Sequence, residues 1–313
     1  MTAGYPDDLA AAYTYCEKLA FAHYENFPVA SRLLPGPMRP HIAAIYAFAR
    51  TADDFADEPG IPDPERLRLL DDWQRRLDAV VTPHAQGLSP RPRDRGQTPG
   101  DQRGQTPSLE DQIFRALGHT IRVHNLPPSL FEDLLSAFRQ DVTTRRYRTW
   151  ADVLDYCRRS ANPVGRLVLR VAGYDDPVLD TRSDAVCTAL QLTNFWQDFG
   201  RDWRQGRLYV PLADRDDTGA CEDDLDASRL TPEWKSALRT VAGRTRELFS
   251  AGRPVCDAVR GRLRWELRLT WLGGSRILEK LEASGYDPLH HRPTLGAGDV
   301  PALMWDALCW NRR

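Results

Sequence analysis

Four aspartates, arranged as two pairs, are the residues of this chain whose type and spacing best suit chemistry. Asp53 and Asp57 lie four residues apart, and so do Asp198 and Asp202 about 145 residues later. At 3.6 residues per turn each pair projects from one helix face, its members about 40° apart. Like charges at that spacing destabilise an isolated helix by roughly 0.2–0.5 kcal/mol. If the two helices pack side by side, four carboxylates surround one space that suits a hard cation. Mg²⁺ takes a few carboxylates, keeps several waters and accepts phosphate oxygens from a substrate. The same spacing also describes two solvated acidic helix ends, and spacing alone leaves both readings standing.

The neighbours of the pairs add a second kind of group. Tyr46 and Arg50 precede Asp53, Gln191 and Asn194 precede Asp198, and Arg207 follows Asp202. Guanidinium groups beside a carboxylate–Mg²⁺ cluster are what a diphosphate leaving group needs. Arg50 is equally placed for an intrahelical ion pair with Asp53 or Asp54. Tyr46, Phe48, Tyr156, Phe195, Trp196 and Tyr209 offer aromatic faces that stabilise a carbocation without quenching it, although each taken singly is ordinary core. Cys157 has no base at motif spacing and reads as an inert buried thiol. The seven histidines form no HExxH pattern, and no Cys/His cluster has structural zinc spacing.

These residues need long helices to position them. Apolar residues recur at helical spacing from Leu9 to Phe21, then from Met38 to Ala56, where Ile42, Ile45, Tyr46, Phe48 and Ala49 crowd one side and Pro59-Gly60 ends the run. An acidic cluster at that C-terminal end meets an unfavourable helix dipole, so a cation is expected beside it. Residues 64–80 read as a charged amphipathic helix. Ser108-Leu109-Glu110-Asp111 and Thr149-Trp150-Ala151-Asp152 read as capped helix starts. Ala161-Asn162-Pro163-Val164-Gly165 implies a kink whose small residues leave room for a ligand or a packed chain. Val178 to Trp203 reads as one long helix, followed by an acidic loop over 214–226. Helices at about 231–250, 253–283 and 300–311 complete an all-α chain with no hairpin or βαβ pattern.

Composition excludes several classes. Net charge is −2 with both signs interspersed, so nothing marks a nucleic-acid binder. The six cysteines are isolated, which fits a reducing cytosol better than a disulfide framework. The N-terminus has no signal-peptide pattern, and no apolar run reaches the roughly 18 residues of a membrane span. Residues 82–107 carry Pro, Gly, Arg and Gln and the pentapeptide Arg-Gly-Gln-Thr-Pro twice; with so few apolar residues they read as a disordered surface insertion in a single domain spanning 1–313.

The motifs resemble those of the squalene/phytoene synthase family. Tyr46-x3-Arg50-x2-Asp53-Asp54-x2-Asp57 matches its first aspartate-rich motif. Gln191-x2-Asn194-x3-Asp198-x3-Asp202, with Gly206-Arg207-Leu208-Tyr209-Val210-Pro211 after it, matches the second. The likeness runs in order over about residues 10–285, apart from the insertion. Within the family the closer resemblance is to hydroxysqualene synthases, carried by His23-Tyr24-Glu25-Asn26-Phe27-Pro28, by residues 156–165 and by Asn194-Phe195-Trp196-Gln197-Asp198. Phytoene and dehydrosqualene synthases tend to have arginine where Gln197 stands.

The resemblance implies one isoprenoid-synthase-type helical domain with a central cavity, in which Asp53, Asp57, Asn194, Asp198 and Asp202 hold Mg²⁺ on presqualene diphosphate, assisted by Tyr46, Arg50, Gln191, Arg207 and Tyr209. Ionisation, rearrangement and water capture then give hydroxysqualene, with Tyr156 and Gln197 the candidates for placing the water. No NADPH is expected, and no dinucleotide fingerprint is present. Implied partners are a companion presqualene diphosphate synthase, a squalene-forming oxidoreductase and, transiently, a membrane surface; the implied location is the cytoplasm, peripheral to the inner membrane. The nearest rival is a condensing squalene or phytoene synthase. A rival of another class is an inactive family member serving as an assembly factor, against which both intact aspartate pairs stand.

Overall fold

A computed structural model describes residues 5–22, 33–82 and 108–310. The repeated pentapeptide and the segment His23–Pro28 lie outside the described residues. The helices are α1 (Asp7–Ala22), α2 (Arg39–Asp57), α3 (Asp63–Val81), α4 (Leu109–His124), α5 (Pro128–Thr143), α6 (Trp150–Ser160), α7 (Asn162–Val171), α8 (Pro177–Gln197), α9 (Phe199–Arg204), α10 (Leu212–Thr218), α11 (Glu222–Asp226), α12 (Pro232–Gly252), α13 (Val255–Ala258), α14 (Gly261–Ala283) and α15 (Val300–Leu308). The all-α expectation holds: among the described residues there is no strand, only one parallel bridge between Arg146 and Leu208.

The starts of α4 and α6 fall where side chains satisfy the first free N–H groups. Ser108 accepts from the Asp111 amide at 3.1 Å while Asp111 accepts from the Ser108 amide, and Thr149 and Asp152 repeat the exchange. Three expectations are corrected at helix ends. The run from Val178 to Trp203 breaks at Asp198, whose backbone leaves helical geometry (φ −94°, ψ 8°), so α8 and α9 are separate. The run 253–283 breaks at Val259 and Arg260, whose backbone is extended (ψ 165° at each), and α14 restarts on Gly261, whose φ of +63° suits a residue without a Cβ. The acidic stretch 214–226 is not a loop but carries α10 and α11, joined through Gly219 at φ +77°.

Two helices organise the packing. Helix α2 buries Ile42, Ile45, Phe48, Ala52 and Ala56 and lies against α1, α3, α4 and α5. Helix α8 buries Leu192, Phe195 and Trp196 and lies against α6, α7, α12 and α14. Helix α7 packs against both. The kink before it leaves room for a packed chain: a Cβ on Gly165 would stand 2.3 Å from the Ser183 hydroxyl and 2.5 Å from the Cys187 sulfur of α8. Phe48 is core rather than cavity lining, fully buried with its ring against Trp73, Phe114 and Phe131. Helix α15 leaves Val300, Met304, Trp305 and Leu308 exposed along one side.

At the opposite end of α2 from the aspartates, three histidines meet around one tyrosine. The Tyr13 hydroxyl lies 3.1 Å from His41 Nδ1, 2.7 Å from His119 Nδ1 and 3.0 Å from the Thr120 hydroxyl, and the His124 ring meets that of His41 at 4.4 Å. Burial first, then the neighbouring His124 and His119, push His41 down to about 4. A histidine with a lowered folded pKa contributes stability above its unfolded value near 6.5 and loses it as pH falls toward the folded value. The difference in unfolding free energy between wild type and His41→Gln is expected to fall by about 2 kcal/mol from pH 6.5 to 4. Denaturant melts of both proteins across that range check it, and a pH-independent difference would rule it out.

Candidate active site

Helix α2 presents Asp53, Asp54 and Asp57 at its C-terminal end, where unsatisfied carbonyls already favour positive charge. Two guanidinium groups answer that demand. Arg50 pairs with Asp53 at 3.4 Å and Asp54 at 2.7 Å, so its intrahelical ion pairs are formed with both. Arg207, only 14% exposed, pairs with Asp57 from 150 positions away in sequence. Arg207 is aimed by its backbone: Leu208 N–H donates to the Arg145 carbonyl at 3.0 Å, and Leu212 N–H donates to that of Tyr147 at 2.9 Å. That short bridge fixes residues 207–211 against the α5–α6 connection.

The second pair straddles the α8–α9 break. Asn194, on the last turn of α8, donates to Asp198 at 3.0 Å. Asp198 also accepts from Arg292, on the segment after α14, and Asp202 follows on α9. Arg207 couples the pairs: its charge reaches both Asp53 and Asp202. Both carboxyls are nevertheless pushed up, Asp53 to about 6 by burial and then Asp57, and Asp202 to about 7 by burial and then Asp198. More negative charge is gathered here than the arginines neutralise. Arg50 and Arg207 each keep a buried Nε–H with no acceptor among the described residues, donors that an anion's oxygens would satisfy.

Aromatic side chains close the space beyond the charges. Phe195 and Tyr209 stack with centroids 3.6 Å apart, and with Trp196, Phe199, Asp202, Arg207 and Leu208 they line a narrow, shallow cleft. Trp196 is buried, its indole donating to Thr245 at 2.9 Å. Tyr156 is buried against Phe195 and Tyr209, and its hydroxyl donates to Asp141 at 2.8 Å. Tyr46 and Gln191 stand half-buried on α2 and α8, one turn before Arg50 and Asn194. Gln197 is not turned to this space: its amide donates to the Pro293 carbonyl at 2.7 Å and pins the segment that carries Arg292. Cys157 is buried and its thiol pushed up, as an inert cysteine should be.

Sequence reading missed two residues of the site. Asp141 lies inside an ordinary amphipathic helix, α5, with no acidic partner at helical spacing. Arg292 lies 94 positions from the carboxylate it meets. Neither carried a local signal; the position of Arg292 opposite a cluster short of positive charge is visible only in three dimensions.

The model of the squalene/phytoene synthase family matches residues 21–299. The chain belongs to that family. A hydroxysqualene synthase from Rhodopseudomonas palustris is 35% identical over 270 residues, covering 86% of this chain and 82% of the relative. Another, from Zymomonas mobilis, is 36% identical over 288 residues, covering 89% and 87%. Among solved structures, squalene synthase HpnC from Alicyclobacillus acidocaldarius superposes with a TM-score of 0.76 at 37% identity, covering 90% of this chain and 97% of that one. A dehydrosqualene synthase bound to a ligand gives the same TM-score at 19% identity and shows the shared fold. Squalene/phytoene synthase family members process prenyl diphosphates, and membership makes this protein an isoprenoid synthase.

Such enzymes are usually metal-dependent. Among the described residues no three acidic, histidine or cysteine side chains converge closely enough to cage an ion unaided. The oxygen-rich donor set still fits Mg²⁺, which binds through one or two carboxylates plus substrate phosphates rather than in an all-protein cage. Placement of Arg292 depends on Gly200, where a Cβ would stand 2.9 Å from the Leu289 carbonyl oxygen and 3.2 Å from its Cα. Gly200→Ala is expected to cost about 1–3 kcal/mol, the usual scale of overpacking. A thermal melt reads it, and an unchanged midpoint would show the segment to be free to move.

Proposed function

We propose that this protein converts presqualene diphosphate and water to hydroxysqualene and diphosphate, as a carbon–oxygen lyase acting through one domain that spans the chain. Identity carries the reading: the hydroxysqualene synthases are 33–36% identical over most of the chain, against 25–27% for the phytoene synthases. Gln197 supports it, since in this fold it holds the Arg292 segment and supplies no positive charge for a second diphosphate.

The chemistry follows from the groups present. Arg50 and Arg207 orient the diphosphate through their buried unused donors. Asp53, Asp57, Asn194, Asp198 and Asp202 would hold Mg²⁺, which when bound supplies positive charge to the departing diphosphate. Tyr46, Gln191 and Tyr209 border the substrate between the pairs and the aromatic floor. Phe195, Tyr156 and Tyr209 face the cyclopropylcarbinyl cation with π surface instead of lone pairs and exclude bulk water. The reaction consumes no reductant, so NADPH has no part in it. A presqualene diphosphate synthase upstream and a squalene-forming oxidoreductase downstream complete the sequence. A C30 substrate and product also imply brief contact with a membrane surface from the cytoplasmic side, and the exposed stripe of α15 supports it; no helix among the described residues is long and apolar enough to cross a membrane.

The second reading, head-to-head condensation of two prenyl diphosphates, is favoured by the likeness to squalene synthase HpnC at 37% identity. Incubation with presqualene diphosphate and Mg²⁺ separates the two. Hydroxysqualene should form without NADPH, and farnesyl diphosphate alone should persist. Consumption of farnesyl diphosphate with no alcohol from presqualene diphosphate would decide for condensation.

Asp57→Ala and Asp198→Ala each remove one candidate ligand, the first freeing Arg207 and the second Arg201 and Arg292. Turnover is expected to drop by about 10²–10³-fold in each, the scale of losing one preorganised electrostatic contact, with the circular dichroism spectrum retained. Wild-type turnover in either protein would remove that carboxylate from the site.

A further inference from the structure

The end of α9 and the bend after it, residues 202–207, carry two site residues at once. Asp202 stands at the start and Arg207 at the end, and the Arg207 N–H donates to the Asp202 carbonyl at 2.8 Å. Gly206 lies between them at φ +77°, its N–H donating to the Trp203 carbonyl at 2.8 Å. Hydrogen bonds within so short a bend fix its shape but not its direction. Direction matters, because it decides whether the Arg207 guanidinium reaches Asp57 on α2.

Arg146, on the α5–α6 connection, holds that bend from outside. Its Nη1 donates to the Gly206 carbonyl, next to Arg207, and to the Arg145 carbonyl at 3.0 Å, which also accepts from the Leu208 N–H. Its guanidinium stands over the Trp203 ring, 5.2 Å from the centroid. The other edge grips Glu222 of α11: Nε lies 3.0 Å and 3.2 Å from the two carboxylate oxygens, and Nη2 lies 2.8 Å from the second. Glu222 is held in turn by Arg215, a buried residue of α10, at 2.6 Å. The Arg146 hydrogen bonds hold the Glu222 carboxyl below its usual range against the opposing effect of burial, and Arg215 adds to them.

All three nitrogens of the Arg146 guanidinium are therefore engaged, along two edges and one face. As an ion pair about a third exposed, the contact with Glu222 contributes little stability by itself. A lysine could make that pair but could not span the carboxylate and the carbonyls together, since its donors converge on one nitrogen. The planar fork sets the bend at a fixed angle to α11.

We propose that Arg146, anchored by Glu222, is a positioning residue that aims Arg207 at the diphosphate. The inference rests on the reading under Proposed function, in which Arg207 orients that group. Arg146 acts through Arg207 and not on the substrate. Without it the Gly206 carbonyl and the Trp203 ring lose their tether, and a binding group misplaced by about 1 Å can cost about 10²-fold in rate.

Inorganic pyrophosphate with Mg²⁺, titrated calorimetrically into the full chain, is the probe, because either course of the reaction releases diphosphate. Wild type, Arg146→Gln, Arg207→Gln and the double variant form a cycle. Arg146→Gln is expected to weaken binding by about tenfold, the scale of one charge-assisted hydrogen bond. In the Arg207→Gln background the same change is expected to cost less than about twofold, because the group it aims is gone. Arg146→Lys is expected not to restore affinity. Losses that multiply in the double variant mark a general structural role and overturn the inference, as does wild-type affinity in a folded Arg146→Gln protein. If Arg146→Gln does not fold, Glu222→Gln takes its place in the cycle and the same two outcomes decide. Absence of binding by the wild-type protein overturns the diphosphate clamp of the proposed function as well.

Discussion

The ion pair between Arg207 and Asp57 is the contact on which the site depends. Helix α2 ends in three aspartates, the end at which its own dipole is also negative. Alone, that terminus would repel the acids of α9. Arg207 lies between them, drawn in from a bend held by the Arg146–Leu208 bridge, and allows two sets of like charges to share one end of the molecule. Its compensation is partial: Asp53 and Asp202 still hold protons more readily than free carboxylates, and under the proposed function a metal–diphosphate would supply the remaining positive charge.

Around this contact the structure separates two tasks. The α2 side, with Trp73, Phe114 and Phe131, is a dry core that keeps the first pair rigid. The α8 side, with Phe195, Trp196, Phe199 and Tyr209, is an aromatic cluster that opens to the cleft. Charge and apolar surface therefore meet at one boundary, where a molecule with a diphosphate head and a hydrocarbon body would lie across both.

Much of this was legible from residue spacing, and the reasons differ by element. The helix starts at Ser108 and Thr149 were readable because a capping box is local chemistry. The two aspartate pairs and Arg50 were readable because helical geometry places residues four apart on one face. The break at Asp198 was hidden because i→i−4 hydrogen bonds continue across it, from Asp198 N–H to the Asn194 carbonyl and from Asp202 N–H to that of Asp198. The short helices at 212–226 were hidden by acidic side chains that resemble a loop. Phe48 shows the limit of type-based reading, since aromatic character says nothing about which of two packed faces a ring will join. Arg292 and Asp141 had no local mark at all.

The partners of the second acidic motif also set an order of assembly. Asp198 and Gln197 reach Arg292 and Pro293 across 94 and 96 positions of sequence, and Asp57 waits 150 positions for Arg207. Contacts of such separation close after local helices have formed, because the intervening loop entropy must be met first. During synthesis from the ribosome, α2 emerges with Arg50 beside Asp53 and Asp54 but with Asp57 waiting for Arg207, and Asp198 has only its local partners Asn194 and Arg201 until Arg292 follows. The acidic ends therefore repel one another in the nascent chain, and the competent site is among the last parts of the molecule to come into being.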